Sequence, residues 1–305
     1  MKNNFVKIFA LLLTTLLSSC GGSKPSTSNN SSSVFIENEI DIPQTKEGNY
    51  RIMSYNIRVT GDTDNSGWQA RRKVIAKKVH DGNPDIIGFQ EVNTGMQEST
   101  LKEVIGDDYS SVFYGRDGDK GEGVPIYYKT DMFSLISQGV FWLSETPNEV
   151  SKYSKAQTNR ICVYVELEDK ATHKQIAYYN THLSVESNES AQFGASVIRG
   201  FISNKNYSND TLIVVGGDFN STPDSNAYGE MINAYYVDSG LSASEKMSGC
   251  TYHDNKLFKT EAEGGTRIDY LFLKNSTSIE YYLIFNTKID DTIASDHYAI
   301  MISTN

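Results

Sequence analysis

The chain reads as an α/β protein with its strands and helices in separate layers. Three observations point there. β-Favouring segments recur along most of its length, and amphipathic helical stretches fall between them. The interior strands read as apolar runs, as expected where both faces of a sheet are covered. Nineteen Tyr and thirteen Phe supply core volume and β propensity.

Residues 50–57 form the first expected strand, ending at Asn56. Residues 68–80 read as a helix with Trp68, Ile75 and Val79 on one face. Arg71, Arg72, Lys73, Lys77 and Lys78 mostly cover the other, so this basic cluster reads as an outer face. Gly82 and Pro84 stop the helix. Residues 85–90 are a short buried strand that leads to Glu91. Residues 109–114 and 124–129 pair around a glycine-rich loop, 115–123, and strands 133–143 and 160–168 follow. Strand 175–181 delivers His182. Residues 189–204 read as a helix striped by Phe193, Val197, Ile198 and Phe201. Strand 211–215 delivers residues 216–220, and 227–234 reads as helical. Strands at 267–273, 278–286 and 298–303 close the chain.

The N-terminus stands outside this pattern. Lys2 and Lys7 precede an apolar run, 8–17, broken only by two threonines and too short to span a bilayer. Residues 1–19 therefore read as a secretory leader. The L-S-S-C of residues 17–20 resembles the lipobox of bacterial lipoproteins, which implies cleavage before Cys20 and lipidation of its thiol. That places the chain in the bacterial cell envelope, anchored to the outer membrane. Residues 20–47 read as a flexible tether, because 21–33 are rich in Ser, Gly and Asn with no apolar side chain to bury. Residues 48–305 are left as one domain, expected to be a monomer.

The formal net charge is −10, and loss of Lys2 and Lys7 with the leader makes it −12. Such a field repels polyanions, which argues against a general nuclease unless a local basic patch or a metal offsets it. Cys162 lies in an apolar strand and is expected to be a buried, inert thiol, with its pairing to Cys250 left open.

Chemistry gathers where the strands end. Asn56 follows M-S-Y, Glu91 follows G-F-Q, His182 follows Y-Y-N-T, and Asp218 and Asn220 follow I-V-V-G-G. Asp269 sits within R-I-D-Y, and Asp296 and His297 precede Y-A-I. Strand ends on a rigid scaffold are where catalytic groups are presented. Carboxylates and amides without a Cys/His cluster favour a hard cation, Mg²⁺ with Mn²⁺ as a substitute, and such a set suits phosphoryl chemistry. Taken singly, each residue is more often a turn former or a cap. G-D-F-N is the sharpest, since an acid flanked by Gly and Phe after I-V-V needs a reason to be there.

Six motifs together, S-Y-N-I-R (54–58), Q-E (90–91), N-T-H-L (180–183), G-D-F-N (217–220), R-I-D-Y (267–270) and S-D-H-Y (295–298), resemble the endonuclease/exonuclease/phosphatase superfamily in order and span. The resemblance implies a four-layer α/β/β/α sandwich of two mostly antiparallel sheets flanked by helices, like deoxyribonuclease I. It implies Glu91 as principal metal ligand with Asn56 and Asp296 close by, and Asp218 orienting or deprotonating the attacking water. Asn180, His182 and Asn220 would hold the scissile phosphate, and His297 and Asp269 would form a hydrogen-bonded dyad. Arg160 resembles an arginine that bacterial members place near the site, though Tyr164 stands where they usually carry Trp. Arg116, in the loop after Tyr114, is a further substrate contact, and His253 borders the pocket. Repair endonucleases carry an acid where Arg58 stands, so the resemblance leans away from them.

The expected activity is hydrolysis of a phosphate ester, a phosphodiester of a small or lipid-linked substrate. The alternatives are an extracellular nuclease, with nucleic acid as substrate only, and a non-catalytic phosphate-binding lipoprotein.

Overall fold

The computed structural model of the chain describes residues 36–37, 40–60, 65–255, 263–289 and 292–305. The expected leader, Cys20 and most of the tether lie outside these residues. Two sheets carry the architecture. One has seven strands in the spatial order Glu245–Lys246, Ile279–Phe285, Ala299–Thr304, Tyr50–Asn56, Ile86–Gln90, Ile126–Lys129 and Tyr109–Val112. The other has six, in the order Val237–Asp238, Asp269–Lys274, Leu212–Asp218, Gln175–His182, Ile161–Asp169 and Phe133–Trp142.

Most neighbours are antiparallel, but each sheet holds one long parallel pair at its centre. Tyr50–Asn56 runs beside Ile86–Gln90, and Gln175–His182 beside Leu212–Asp218. A parallel pair needs a crossover. The helix Asn65–Gly82 supplies the first and Asn188–Asn204 the second. The carboxyl ends of all four strands meet at one end of the sandwich, the usual place for a ligand in such sheets.

Three apolar clusters fill the three interfaces of four layers. Ile52, Ile86, Val163, Tyr178, Val214 and Ile300 join sheet to sheet. Met53, Tyr55 and Phe89 pack outward against Trp68, Ile75, Val79 and Leu101. Tyr179, Val215 and Phe272 pack against Ala195, Ile198 and Met231 on the other flank. Period-two alternation along each strand sorts its side chains between the two neighbouring cores. The fold is the α/β/β/α sandwich that the motifs imply.

Three local expectations are corrected. The basic face of the first helix is not wholly outward: Arg71 and Lys78 are buried, at 9% and 4% exposure. Lys78 donates from Nζ to Phe285 O at 2.9 Å, and burial pushes it down to about 7. The helix Met96–Ile105 was not expected, because buried Gln97 occupies a position that an apolar residue would mark. The tether is not free through residue 47. Ile40 and Ile42 pack on the flanking core, and Thr45 Oγ1 accepts from Arg51 Nε at 2.6 Å. These residues differ from 21–33 in having apolar side chains to bury. Cys162 and Cys250 are both buried, and burial pushes the Cys162 thiol up.

Candidate active site

The inward face of each central strand changes character at the same end. Tyr50 and Ile52 give way to Ser54 and Asn56, and Ile86 to Gly88 and Gln90. On the other sheet Ile176 and Tyr178 lead to Asn180 and His182, and Leu212 and Val214 to Gly216 and Asp218. Leu273, Leu271 and Asp269 repeat this on a strand of opposite sense. Gly88 and Gly216 are required by Tyr178: a Cβ would lie 2.3 and 2.7 Å from its Oη. Below the reacting groups, Gln90 Nε2 donates to Asn180 Oδ1 at 2.7 Å across the sheets.

The polar ends converge on Asp218. Asn56 Nδ2 donates to Asp218 Oδ2 and to Glu91 Oε1, both at 2.9 Å. Asp218 Oδ1 accepts from Asn220 N at 2.8 Å. His182 Nε2 lies 3.5 Å and His297 Nε2 3.6 Å from Asp218 Oδ2. His297 Nδ1 sits 2.9 Å from Asp269 Oδ2, the expected dyad. Gly217 permits this approach, since its φ is +140° and a Cβ there would stand 1.9 Å from Thr181 O. Glu91 and Asn220 adopt left-handed φ values of 60° and 47°. Backbone strain of this kind gathers at working sites.

The two histidines take opposite charge states. Burial, with the Arg160, His297 and Arg116 charges behind it, holds His182 well below its ordinary range, so it is neutral. Burial also works against His297, but the Asp269 and Asp218 carboxylates outweigh it and raise it to about 10. His297 is therefore an imidazolium at neutral pH. Asp218 is pushed up to about 7 by burial, with Asp269 adding and His297, Asn220 and Asn56 opposing.

Beside this centre, Glu91, Arg116, Glu122, Asn159, Arg160 and His182 line a small cleft. Arg116 Nη2 pairs with Glu122 Oε1 at 2.9 Å. Arg160 is mostly buried, its Nε is sealed from solvent without a hydrogen-bond partner, and burial lowers its proton affinity. A buried N–H without a partner is costly, and an incoming anion relieves that cost.

Ligand atoms of Glu91, His182 and Asp218 lie within 4.8 Å of one another, as do those of Asp218, Asp269 and His297. Two carboxylates and a neutral imidazole this close together, Glu91, His182 and Asp218, fit a divalent cation.

Residues 53–297 match the model of the Endonuclease/Exonuclease/phosphatase family. The chain belongs to this family. Endonuclease/exonuclease/phosphatase proteins are metal-dependent hydrolases of phosphate esters, and the chain is an enzyme of that class. A mannosyl-6-phosphatase from Bacteroides thetaiotaomicron VPI-5482 is 25% identical with a TM-score of 0.77, covering 84% of this chain and 99% of that one. A family protein from Bacteroides vulgatus is 27% identical with a TM-score of 0.76, covering 84% and 98%. Among curated proteins, the Ccr4 3'-5'-exoribonuclease subunit of the Candida albicans CCR4-Not complex is 28% identical over 191 residues, 53% of this chain. That match spans 24% of the relative's own length.

Against the family pattern, the structure brings Asn56, Glu91, His182, Asp218, Asn220, Asp269 and His297 together, with Arg116 and Arg160 alongside. Four residues sit differently from expectation. Asn180 is wholly buried, and its Nδ2 donates to Phe89 O, Pro125 O and Val124 O at 2.8, 2.9 and 3.1 Å. Its amide is spent joining the sheets, so it holds no phosphate. Asn56 turns its NH₂ toward the two acids while its Oδ1 accepts from Arg58 N at 3.0 Å, so it clasps the two carboxylates together. Asp296 accepts from Ser295 Oγ at 3.3 Å and falls in neither cluster of close ligand atoms. His253 is buried and stacked on Tyr298 with ring centroids 4.2 Å apart, and burial lowers it to about 4. Half-buried Tyr252 is the rim residue, its ring 5.0 Å from His297. Gln90, Tyr252 and Glu122 carry no mark of their own in the sequence, although Gln90 lies inside the Q-E motif.

Proposed function

We propose that this protein is a Mg²⁺-dependent phosphoesterase of the bacterial envelope, held to the outer membrane through lipidated Cys20, that cleaves a phosphate ester in a small or lipid-linked molecule. The unpartnered, buried Nε of Arg160, in the cleft shared with Glu91 and His182, carries this reading. It calls for an anion beside the acids, and the phosphate of the substrate is that anion. A cation held at Glu91 would supply charge neutralisation at the phosphate oxygens. Asp218, raised toward neutrality, orients the attacking water and takes its proton. The His297 imidazolium, fixed by Asp269, faces the negative charge that develops on phosphorus-bound oxygen. Arg160 and Arg116 bind the phosphate, and Asn220 holds the Asp218 loop. The mannosyl-6-phosphatase neighbour supports a small phosphorylated substrate.

The nuclease reading has one specific observation in its favour, the resemblance to Ccr4 exoribonuclease subunits. The formal charge of −10 weighs against it.

Arg160→Met tests the proposal. KM for a phosphate ester should rise by roughly 10- to 100-fold, as loss of a charge-assisted contact implies, with a smaller change in kcat. Steady-state kinetics at saturating Mg²⁺ reads this out. An unchanged KM would remove Arg160 from the phosphate site.

A further inference from the structure

Two buried side chains from different outer helices grip the same backbone oxygen. Arg71, on the helix Asn65–Gly82, donates from Nη1 and Nη2 to Arg58 O, each at 3.2 Å. Gln97, on the helix Met96–Ile105, is wholly buried and donates from Nε2 to Arg58 O at 3.1 Å. Both reach further around the site. Arg71 Nη1 also meets Ile57 O at 2.6 Å and Ala294 O at 3.0 Å. Gln97 Oε1 accepts from Thr60 N at 3.2 Å and Asn93 N at 3.0 Å.

The held residue is the one that aims the acids. Arg58 is left-handed, with φ +58°. For a side chain with a Cβ that conformation is strained and persists only where the surroundings enforce it. Its own N–H donates to Asn56 Oδ1, and the next N–H, of Val59, donates to Glu91 Oε2 at 2.8 Å. Asn56 in turn bridges Glu91 and Asp218. The segment that Arg71 ties at Ala294 continues to Ser295, whose Oγ donates to Asn56 O at 2.7 Å. Relaxing the Arg58 turn therefore moves the two donors that fix Asn56 and Glu91.

We infer that Arg71 and Gln97 are positioning residues: a two-helix clamp on the Arg58 turn that presets Glu91, through the Asn56 clasp that joins it to Asp218, for cation binding. The inference rests on the metal-dependent reading of the site. If these side chains only filled the helix–sheet interface, apolar residues of like volume would do so without burying a guanidinium.

The test is Mn²⁺ binding to the full chain by calorimetry, beside melting in chelator. Arg71→Lys and Gln97→Met should each weaken Mn²⁺ by about 10- to 100-fold, the usual effect of losing a partner that orients a ligand. Ile198→Val, in the core of the opposite flank, should lower the melting temperature and leave Mn²⁺ affinity unchanged. Clamp variants that melt early yet bind Mn²⁺ like the unaltered chain would overturn the proposal and leave a structural role. If one variant fails to fold, the other decides. An unaltered chain that binds no Mn²⁺ would overturn the metal reading and the clamp with it.

Discussion

Asp218→Asn is expected to lower kcat by roughly 10²–10⁴-fold, the range for removing a positioned general base. The protein should fold and melt no earlier than the unaltered chain at pH 8. The sign follows from burial. The Asp218 carboxyl is raised from 3.8 to about 7 in the folded state. Such a group contributes stability below its unfolded value and loses it as pH rises through the folded one. Asparagine carries no charge to desolvate, so the variant is relieved of that cost above pH 7 while Asn220 N keeps an oxygen to donate to. Lost turnover with preserved melting is the pattern of an active-site acid. Turnover within a few-fold of the unaltered enzyme would remove Asp218 from the reaction.

His297→Gln should cost roughly 10²–10³-fold in kcat, as loss of a donor to developing charge does. It should also move the acid limb of the rate–pH profile upward. The His297 charge is the first influence opposing burial at Asp218, so without it the carboxyl rises further. The deficit should therefore be larger at pH 6 than at pH 8. Glutamine is preferred to alanine because it can still donate to Asp269, which is 1% exposed and would otherwise be a buried carboxylate without its partner. A deficit equal at both pH values would separate His297 from Asp218.

Much of this site was legible because strands announce their ends. An apolar run that stops on Asn56, Glu91, His182 or Asp218 breaks its own pattern, and the family order joined six such breaks. What escaped has a physical reason in each case. Arg71 and Lys78 look outward by charge alone, but a long side chain can bury its stem and carry its polar head to backbone carbonyls. Gln97 hid a whole helix, since a buried amide satisfied by Arg58 O, Thr60 N and Asn93 N leaves no apolar mark. Asn180 misled in the other direction. It shares a motif with His182 and points to the same face, yet two residues of rise place it beneath the site, where the opposite sheet takes up its amide. Motif membership named the neighbourhood, and only the hydrogen bonds divided ligands from supports.

The Glu91, Asp218 and His297 centre is proposed to hydrolyse a phosphate ester with a metal ion. Its most direct test is phosphate ester cleavage by the full chain with Mg²⁺ and with chelator, across a hexose 6-phosphate, phospholipid vesicles, nitrophenyl mono- and diesters, plasmid DNA and poly(A). Cleavage of small or lipid-linked esters that stops in chelator is expected, with little action on DNA or RNA. Cleavage that persists in chelator, or that is confined to nucleic acid, would contradict it.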